Sequence, residues 1–164
     1  MNIQIKPAKT DEDLKSVAKL ADIIWHEYFS SLLSLEQIDY MVDKFQSYTA
    51  IKNVVDNDGY LYYMAYDGND LCGYLGIHDE GEGVIFISKL YVRADKRKNG
   101  IASSMLDRLK TDYPYAKKWY LTVNKYNSGS IAVYEKRGFS KADAVVTDIG
   151  GGFVMDDYIM ERTF

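Results

Sequence analysis

The chain has 164 residues, of which 47% are hydrophobic and 14% aromatic, and this length suits one domain with a sizeable core. With a net charge of −4, no apolar run close to the roughly 20 residues of a bilayer span, and an amino terminus typical of a strand, we expect a cytoplasmic protein without a membrane partner. Cys72 is the only cysteine, which excludes an intramolecular disulfide and a cysteine-based zinc site, so no metal is expected.

The first half of the sequence predicts a strand, three helices and then a hairpin. Thr10 and Asp13 have the spacing of a capping box, and Ser34 with Gln37 marks a second helix start. Asp67-Gly68-Asn69-Asp70 is typical of a hairpin turn. The predicted elements are a strand over 2–6, helices from Thr10 to Tyr28, from Ser34 to Phe45 and over 50–55, and strands Tyr60–Tyr66 and Leu71–His78.

The second half predicts strands that alternate with helices. Asp79–Gly83 turns the chain into a nearly continuous apolar strand, and no internal repeat or linker follows. The predicted elements are a strand over Val84–Val92, a helix over 101–111, a strand over 118–123, a helix over 128–137, and strands over 139–148 and 153–162. This order predicts a mixed α/β fold in a single domain over residues 1–164, with helices on both sides of a mixed sheet.

The charge is unevenly spread along the chain. The segment Lys89–Lys110 holds seven basic and two acidic residues, a net charge of +5, whereas the rest holds 13 basic and 22 acidic residues. An acidic body with one short basic segment argues against nucleic-acid binding, which uses a broad basic face. The pattern fits a local site for a polyanionic small molecule, and chance variation of charge along the sequence explains it equally well.

Within that segment, Arg97-Lys98-Asn99-Gly100-Ile101-Ala102 connects a strand to a helix. The start of a helix leaves about four N–H groups unpaired and gathers partial positive charge, so it attracts phosphate. Small residues at positions 100 and 102 let a diphosphate approach the backbone. The loop matches neither a Walker loop nor a dinucleotide fingerprint, because no Gly-Lys-Ser/Thr follows and a first glycine is missing.

A second constellation lies between Asn124 and Phe139, where a strand ends, Asn127 can cap a helix, and Gly138-Phe139 ends that helix. Together the two segments resemble the GNAT superfamily of acyl-CoA-dependent N-acyltransferases. The family's R/Q-x-x-G-x-G/A loop matches Arg97, Gly100 and Ala102, although Ala102 replaces the commoner glycine. Its N-x-x-A/S-x-x-x-Y-x-x-x-G-F signature matches Asn127, Ser130, Tyr134, Gly138 and Phe139, and the element order matches over about residues 2–163.

The resemblance implies acetyl-CoA as cosubstrate and a mostly antiparallel, twisted sheet of about six to seven strands, with a splayed strand pair that admits the pantetheine arm. It also implies how the cofactor is held. Pantetheine bonds to the backbone of Leu90, Tyr91 and Val92, the diphosphate to N–H groups of Arg97, Lys98, Asn99, Gly100, Ile101 and Ala102, and Asn124, Asn127 and Tyr134 lie along the other side.

The chemistry implied is direct attack of a neutral primary amine on the thioester. Tyr134 is then the general acid that protonates the leaving thiolate, with a core tyrosine as the alternative interpretation. The general base stays open, because the strand over Val84–Val92 carries no carboxylate. Candidates are Glu82, His78, Glu27, His26, Asp156 and Asp157, and a water chain with no single base is equally consistent.

The acceptor is not specified by the cofactor motifs. Acidic residues near the expected mouth (Asp79, Glu80, Glu82, Asp156 and Asp157) favour a cationic acceptor such as a polyamine, an aminoglycoside or a lysine-bearing peptide. Trp25, Tyr28, Glu82 and Asp157 are the candidate acceptor-binding residues, and the resemblance extends weakly to polyamine-acetylating members. It allows a homodimer through the last strands. The alternatives are a peptide N-acetyltransferase, a non-catalytic acyl-CoA sensor and a plain α/β interaction domain.

Overall fold

The fold is described from a computed structural model that covers residues 1–164. It contains seven strands, five α-helices, one π-helical turn and one short 3-10 turn. In chain order these are β1 (Ile3–Pro7), α1 (Asp11–Tyr28), α2 (Leu35–Met41), the π-helical turn (Val42–Gln46), α3 (Tyr48–Asn57), β2 (Tyr60–Asp67), β3 (Asp70–Gly81), β4 (Val84–Val92), the 3-10 turn (Ala94–Lys96), α4 (Ile101–Asp112), β5 (Lys118–Asn124), α5 (Ser128–Lys136), β6 (Ser140–Gly150) and β7 (Phe153–Thr163).

The strands form a seven-stranded sheet in the order β1-β2-β3-β4-β5-β7-β6. β4 and β5 are parallel where Val84–Phe86 pair with Lys118–Tyr120, and β7 runs antiparallel to both β5 and β6. β1 and β2 are antiparallel, as are β2 and β3. This mixed, mostly antiparallel sheet confirms the predicted fold class, whereas the splaying of a strand pair stays a prediction.

The chain divides into two compact units. The first holds residues 1–78 and 89–114, and the second holds residues 79–88 and 115–164. β3 and β4 run through both units, so each unit contains part of each strand. The single domain predicted over residues 1–164 stays a prediction.

In the first unit, helices contact both faces of the sheet. Tyr63 on β2 points to α4, where its hydroxyl donates to Asp112 Oδ2 at 2.6 Å. On β3, Leu75 is the register partner of Tyr63, so the adjacent residue Tyr74 points to the opposite face. There its hydroxyl donates to Gln46 Oε1 at 3.2 Å. A Cβ at Gly73 would lie 2.9 Å from the Tyr91 carbonyl oxygen, which explains the glycine at this position.

In the second unit, Trp119 on β5 forms the centre of an aromatic cluster. It is 1% exposed, and its ring lies 6.5 Å from Phe139 and 4.7 Å from Phe164. The Arg162 guanidinium lies 5.4 Å from the same ring. Phe139 lies three residues after the end of α5, and its burial holds that end of the helix against β5.

Two local features differ from the sequence prediction. β3 continues to Gly81, beyond the predicted end at His78, because Glu82 and Gly83 form a tight turn with φ of 56° and 81°. Left-handed conformation at both positions is what a two-residue hairpin requires, and a glutamate at the first of them is an uncommon signal. The predicted helix from Ser34 to Phe45 becomes π-helical after Met41, which buries Gln46 and leaves Phe45 only half-buried.

Candidate active site

The loop before α4 has a backbone shape suited to an anion. Lys98 and Gly100 are both left-handed, with φ of 63° and 75°. Asn99 braces the loop, since its Nδ2 lies 3.1 Å from the Lys96 carbonyl and 3.2 Å from the Arg97 carbonyl and donates to both. Left-handed residues turn successive N–H groups toward one side, which makes a concave site for negative charge. A non-glycine residue held at positive φ is also a strained conformation typical of functional loops.

The start of α4 adds to this shape. Its N-cap, Gly100, makes no side-chain capping bond, whereas Thr10, Ser34, Ser47 and Asn127 each cap their helices with a side-chain oxygen. A Cβ built on Gly100 would meet no atom within 4 Å, so the space above the loop is open. The first N–H groups of this helix therefore face a position that a phosphate oxygen fits.

The basic side chains around the loop form hydrogen bonds, ion pairs and a ring contact that the sequence did not predict. Arg97 Nε donates to the Val92 carbonyl at 3.0 Å, and its guanidinium lies 4.4 Å from the Tyr28 ring. Lys96 pairs with Asp67 at 3.1 Å, and Arg93 pairs with Asp70 at 2.7 Å. The hairpin turn that holds these acids thus neutralises part of the basic segment. Arg97 braces the loop with its side chain, and its backbone N–H donates to the Ala94 carbonyl at 3.4 Å, so its predicted bond to the diphosphate stays a prediction.

The carboxyl-terminal part of β4 offers backbone groups on one side. The Arg93 N–H donates to the Cys72 carbonyl at 2.8 Å, and the Tyr91 carbonyl lies beside Gly73. Because bonding alternates along an antiparallel ladder, the N–H and C=O groups of Leu90 and Val92 point away from β3. Leu90 and Val92 thus fit the predicted backbone role, although the Val92 carbonyl also accepts from Arg97 Nε, whereas the backbone of Tyr91 faces β3.

In the second unit, the segment from Asn124 to Phe139 folds as its motif predicts. Asn127 Oδ1 accepts from the Ser130 N–H at 3.2 Å, so Asn127 is the cap of α5. Asn124 Oδ1 accepts from the Tyr126 N–H at 2.9 Å and shapes the turn before this helix. Tyr134 is half-buried in the last turns of α5, and its ring lies 5.8 Å from that of Phe139.

Asp157 lies opposite Asn124 in the register of β5 and β7. It is 4% exposed and makes neither an ion pair nor a hydrogen bond through its carboxylate. Burial, followed by the nearby charge of Asp156, raises the pKa of Asp157 to about 6, against an opposing effect of Lys125. A buried carboxylate that is half-protonated near pH 6 can exchange protons under physiological conditions.

The other candidate bases are engaged elsewhere or exposed. Asp156 pairs with Lys125 at 2.7 Å, and Glu27 accepts from the Ala94 N–H at 2.8 Å. His26 lies 2.6 Å from Asp39, and this hydrogen bond, with another to the Asp22 carbonyl, raises the pKa of His26. Glu82 is exposed in the β3–β4 turn, and the ring of His78 stacks on Tyr60 at 4.9 Å.

The predicted acceptor residues Trp25 and Tyr28 belong to an aromatic cluster in the first unit. Tyr91 lies 5.6 Å from Trp25, 6.4 Å from Tyr28 and 5.5 Å from Tyr74 between ring centroids. Trp25 is 4% exposed, so packing accounts for much of its environment. Sequence reasoning missed two neighbours of this cluster, Gln46 and Lys89. A polar residue on a helix and a lysine within an apolar strand were the only available signals.

Comparisons with known proteins agree with this architecture. A family model described as the acetyltransferase (GNAT) family matches residues 17–139. The PaiA N-acetyltransferase from Thermoplasma acidophilum, solved in complex with coenzyme A, is 21% identical with a TM-score of 0.83, and all of both chains is covered. A GCN5-related N-acetyltransferase from Rhodopseudomonas palustris is 16% identical with a TM-score of 0.81, covering 100% of this chain and 97% of the other.

A third structure, the ribosomal-protein-S18-alanine N-acetyltransferase from Escherichia coli, is 16% identical with a TM-score of 0.70 and covers 99% of this chain and 94% of its own. The search among curated proteins finds no match. At these identities the solved structures show a shared fold, and the family match supplies the membership. The chain belongs to the GNAT family of acetyltransferases and is an acetyl-CoA-dependent N-acyltransferase, as its two motifs predicted.

Proposed function

We propose that this enzyme transfers the acetyl group of acetyl-CoA directly to a primary amine, with Asp157 as general base and Tyr134 as general acid. The observation that carries the proposal is the loop over residues 97–102, where two left-handed residues precede a helix start without a side-chain cap. Its N–H groups bind the diphosphate, as expected for a nest of amides at a helix start. The similarly folded PaiA enzyme was solved in complex with coenzyme A.

The pantetheine arm follows the free side of β4 in this proposal. The backbone groups of Leu90 and Val92 bond to its amides, because they point away from β3. The backbone bond of Tyr91 to pantetheine stays a prediction, and Asn127 with the start of α5 lines the cofactor.

Asp157 removes a proton from the acceptor amine in this proposal. A primary amine has a pKa of about 10.4, so freeing it at neutral pH costs roughly 4–5 kcal/mol. The Asp157 carboxylate has a pKa of about 6 and is mostly charged above that pH. It can therefore take the ammonium proton, directly or through water, and a buried unpaired carboxylate also attracts a cationic group.

The transfer step then balances without a further reactant. The neutral amine nitrogen attacks the thioester carbonyl carbon, and the oxyanion that forms accepts a hydrogen bond from a β4 N–H such as that of Leu90. The C–S bond breaks as the amide forms, the thiolate takes the hydroxyl proton of Tyr134, and the second proton of the attacking nitrogen passes to the resulting phenolate, directly or through water.

The identity of the acceptor stays a prediction. Several of the acidic residues that favoured a cationic acceptor form hydrogen bonds within the protein. Asp79 accepts from the Tyr115 hydroxyl at 2.9 Å, and Glu80 accepts from the Tyr120 hydroxyl. Peptide amines remain candidates, since the Escherichia coli relative is named for acetylating an alanine of a ribosomal protein. The homodimer also stays a prediction. No helix of the structure is both long and apolar enough to span a bilayer.

A screen that follows release of the CoA thiol tests the proposed transfer. Acetyl-CoA is offered with polyamines, aminoglycosides, amino acids and short peptides, and we expect thiol release with at least one class. Calorimetry with CoA and acetyl-CoA runs in parallel. Binding without thiol release for any amine would favour the acyl-CoA sensor, and absence of binding at millimolar concentration would refute the cofactor site.

A further inference from the structure

Lys89 is a charged side chain that the proposed mechanism leaves unused. It lies on β4 directly before the predicted pantetheine residues, and it makes no ion pair and no hydrogen bond. By contrast, Lys96, Lys118 and Lys125 each pair with a carboxylate, at 3.1, 3.0 and 2.7 Å. The residue as a whole is partly exposed, but desolvation of the ammonium lowers the pKa of Lys89 to about 8. An ammonium in such surroundings costs free energy until it meets a counter-ion.

A glycine on the neighbouring strand leaves room for the Lys89 side chain. A Cβ on Gly76 would lie 3.1 Å from Lys89 Cγ and 3.0 Å from the Tyr62 ring. The absence of a side chain at Gly76 therefore leaves the space that the lysine stem occupies beside Tyr62. Tyr62 is 1% exposed, so the apolar part of the Lys89 side chain packs against a buried ring.

Gln46 supplies a second unpartnered donor on the same face. It is 0% exposed, its Oε1 accepts from the Tyr74 hydroxyl at 3.2 Å, and its Nε2 has no hydrogen-bond partner. The π-helical turn that turns Gln46 inward is a rare conformation that occurs frequently at functional sites. A buried amide with an unmade hydrogen bond costs about 1–3 kcal/mol, which a ligand that accepts the bond recovers.

Contacts between aromatic rings connect the two donors. Tyr62 stacks on Tyr74 at 6.5 Å, and Tyr74 contacts both Tyr91 and Gln46. Gly76 follows Tyr74 by two residues on β3, so both belong to one face of the sheet. This face thus holds one ammonium and one amide N–H group without acceptors, among aromatic rings. A negatively charged oxygen is a group that both donors can bind.

We propose that Lys89 and Gln46 bind a carboxylate of the acceptor, which makes the substrate an amino acid or another amine that carries a carboxylate. The inference rests on the proposed acetyl transfer and specifies its acceptor. A carboxylate carries one negative charge, which one ammonium balances, and it has two oxygens for the two donors. A phosphate would bring a second charge that these desolvated surroundings leave uncompensated.

Matched acceptors that differ only in that carboxylate test the proposal. Initial rates of thiol release are measured for a set of amino acids and for the corresponding amino-acid amides, with wild type, Lys89→Met and Lys19→Met. Methionine keeps the apolar stem, and Lys19 is an exposed lysine of α1 that serves as the control. We expect wild type to favour the acids by about tenfold or more in kcat/KM, the worth of a charged hydrogen bond. In Lys89→Met the ratio of kcat/KM for acids to that for amides should fall to about one, whereas Lys19→Met should keep the wild-type ratio.

The outcomes separate this inference from the transfer reaction. Equal turnover of acids and amides by wild type overturns the carboxylate site and leaves acetyl transfer standing. An equal loss for both acceptors in Lys89→Met would assign Lys89 to catalysis or folding and also overturn the site. Absence of thiol release with every amine would refute the transfer itself. In that event NMR titration of ¹³Cε-labelled lysines tests the carboxylate site by itself. Propionate should raise the Lys89 pKa, and an unchanged Lys89 pKa would overturn the site.

Discussion

Replacing Asp157 by asparagine should stabilise the protein while it removes the general base. Asparagine keeps the shape of the side chain and cannot ionise. Burial raises the pKa of Asp157 from 3.8 to about 6 in the folded state. A difference of about two pKa units corresponds to about 3 kcal/mol of unfavourable free energy once the carboxylate is charged.

The sign of the pH dependence follows from this shift. The folded state binds the proton more tightly than the unfolded state, so the wild type loses stability as the pH rises through about 6. The stability gained by Asp157→Asn should therefore be about 0.6 kcal/mol at about pH 4 and rise to about 3 kcal/mol at about pH 8. The gain grows with pH because only the wild type has a carboxylate to ionise.

Urea unfolding across that pH range measures the difference, with Asp156→Asn as the matched control. Asp156 pairs with Lys125 at 2.7 Å on a partly exposed surface, so its replacement should lower stability by at most about 1 kcal/mol. The same Asp157→Asn protein should lose about 10²–10⁴-fold in kcat/KM. A difference in stability that does not change with pH would refute the assignment of a buried, unpaired carboxylate.

Two further substitutions test the loop and the first unit. Gly100→Trp should raise the dissociation constant of acetyl-CoA at least about tenfold in calorimetry, because the ring fills the open space above the loop. Gly152→Trp, another left-handed glycine in open space, should bind normally, and equal affinity of both variants would exclude the loop as the diphosphate site. Tyr63→Phe should lower the free energy of unfolding by about 1.5–3 kcal/mol through loss of the bond to Asp112, whereas Tyr62→Phe should change it little.

Local features of the structure could be predicted from sequence because neighbouring residues determine them. Thr10 and Asp13 form the predicted capping box, and Asn127 caps α5. Gly68 has the positive φ expected of the hairpin turn between β2 and β3. The family followed from such local motifs, since a phosphate loop and a helix cap each occupy a few consecutive residues.

The charge environment of the candidate site could not be predicted, because distant residues create it. The basic segment Lys89–Lys110 predicted local positive charge, yet acids of the β2–β3 turn pair with two of its members, Lys96 and Arg93. Gln46 faces inward only because the helix widens by π-type bonding, for which no sequence rule was available. Asp157 was one of six candidate bases until burial and the lack of a partner distinguished it.

The rate of CoA release by Tyr134→Phe tests the central claim most directly. The substitution removes one hydroxyl and keeps the ring beside Phe139, so calorimetry should show nearly unchanged acetyl-CoA affinity. If Tyr134 protonates the thiolate, kcat and kcat/KM should fall together by about 10²–10⁴-fold. Tyr126→Phe, at an exposed position before α5, should turn over as wild type. A kcat close to that of wild type, with only a raised KM for acetyl-CoA, would contradict the role of Tyr134 as the acid.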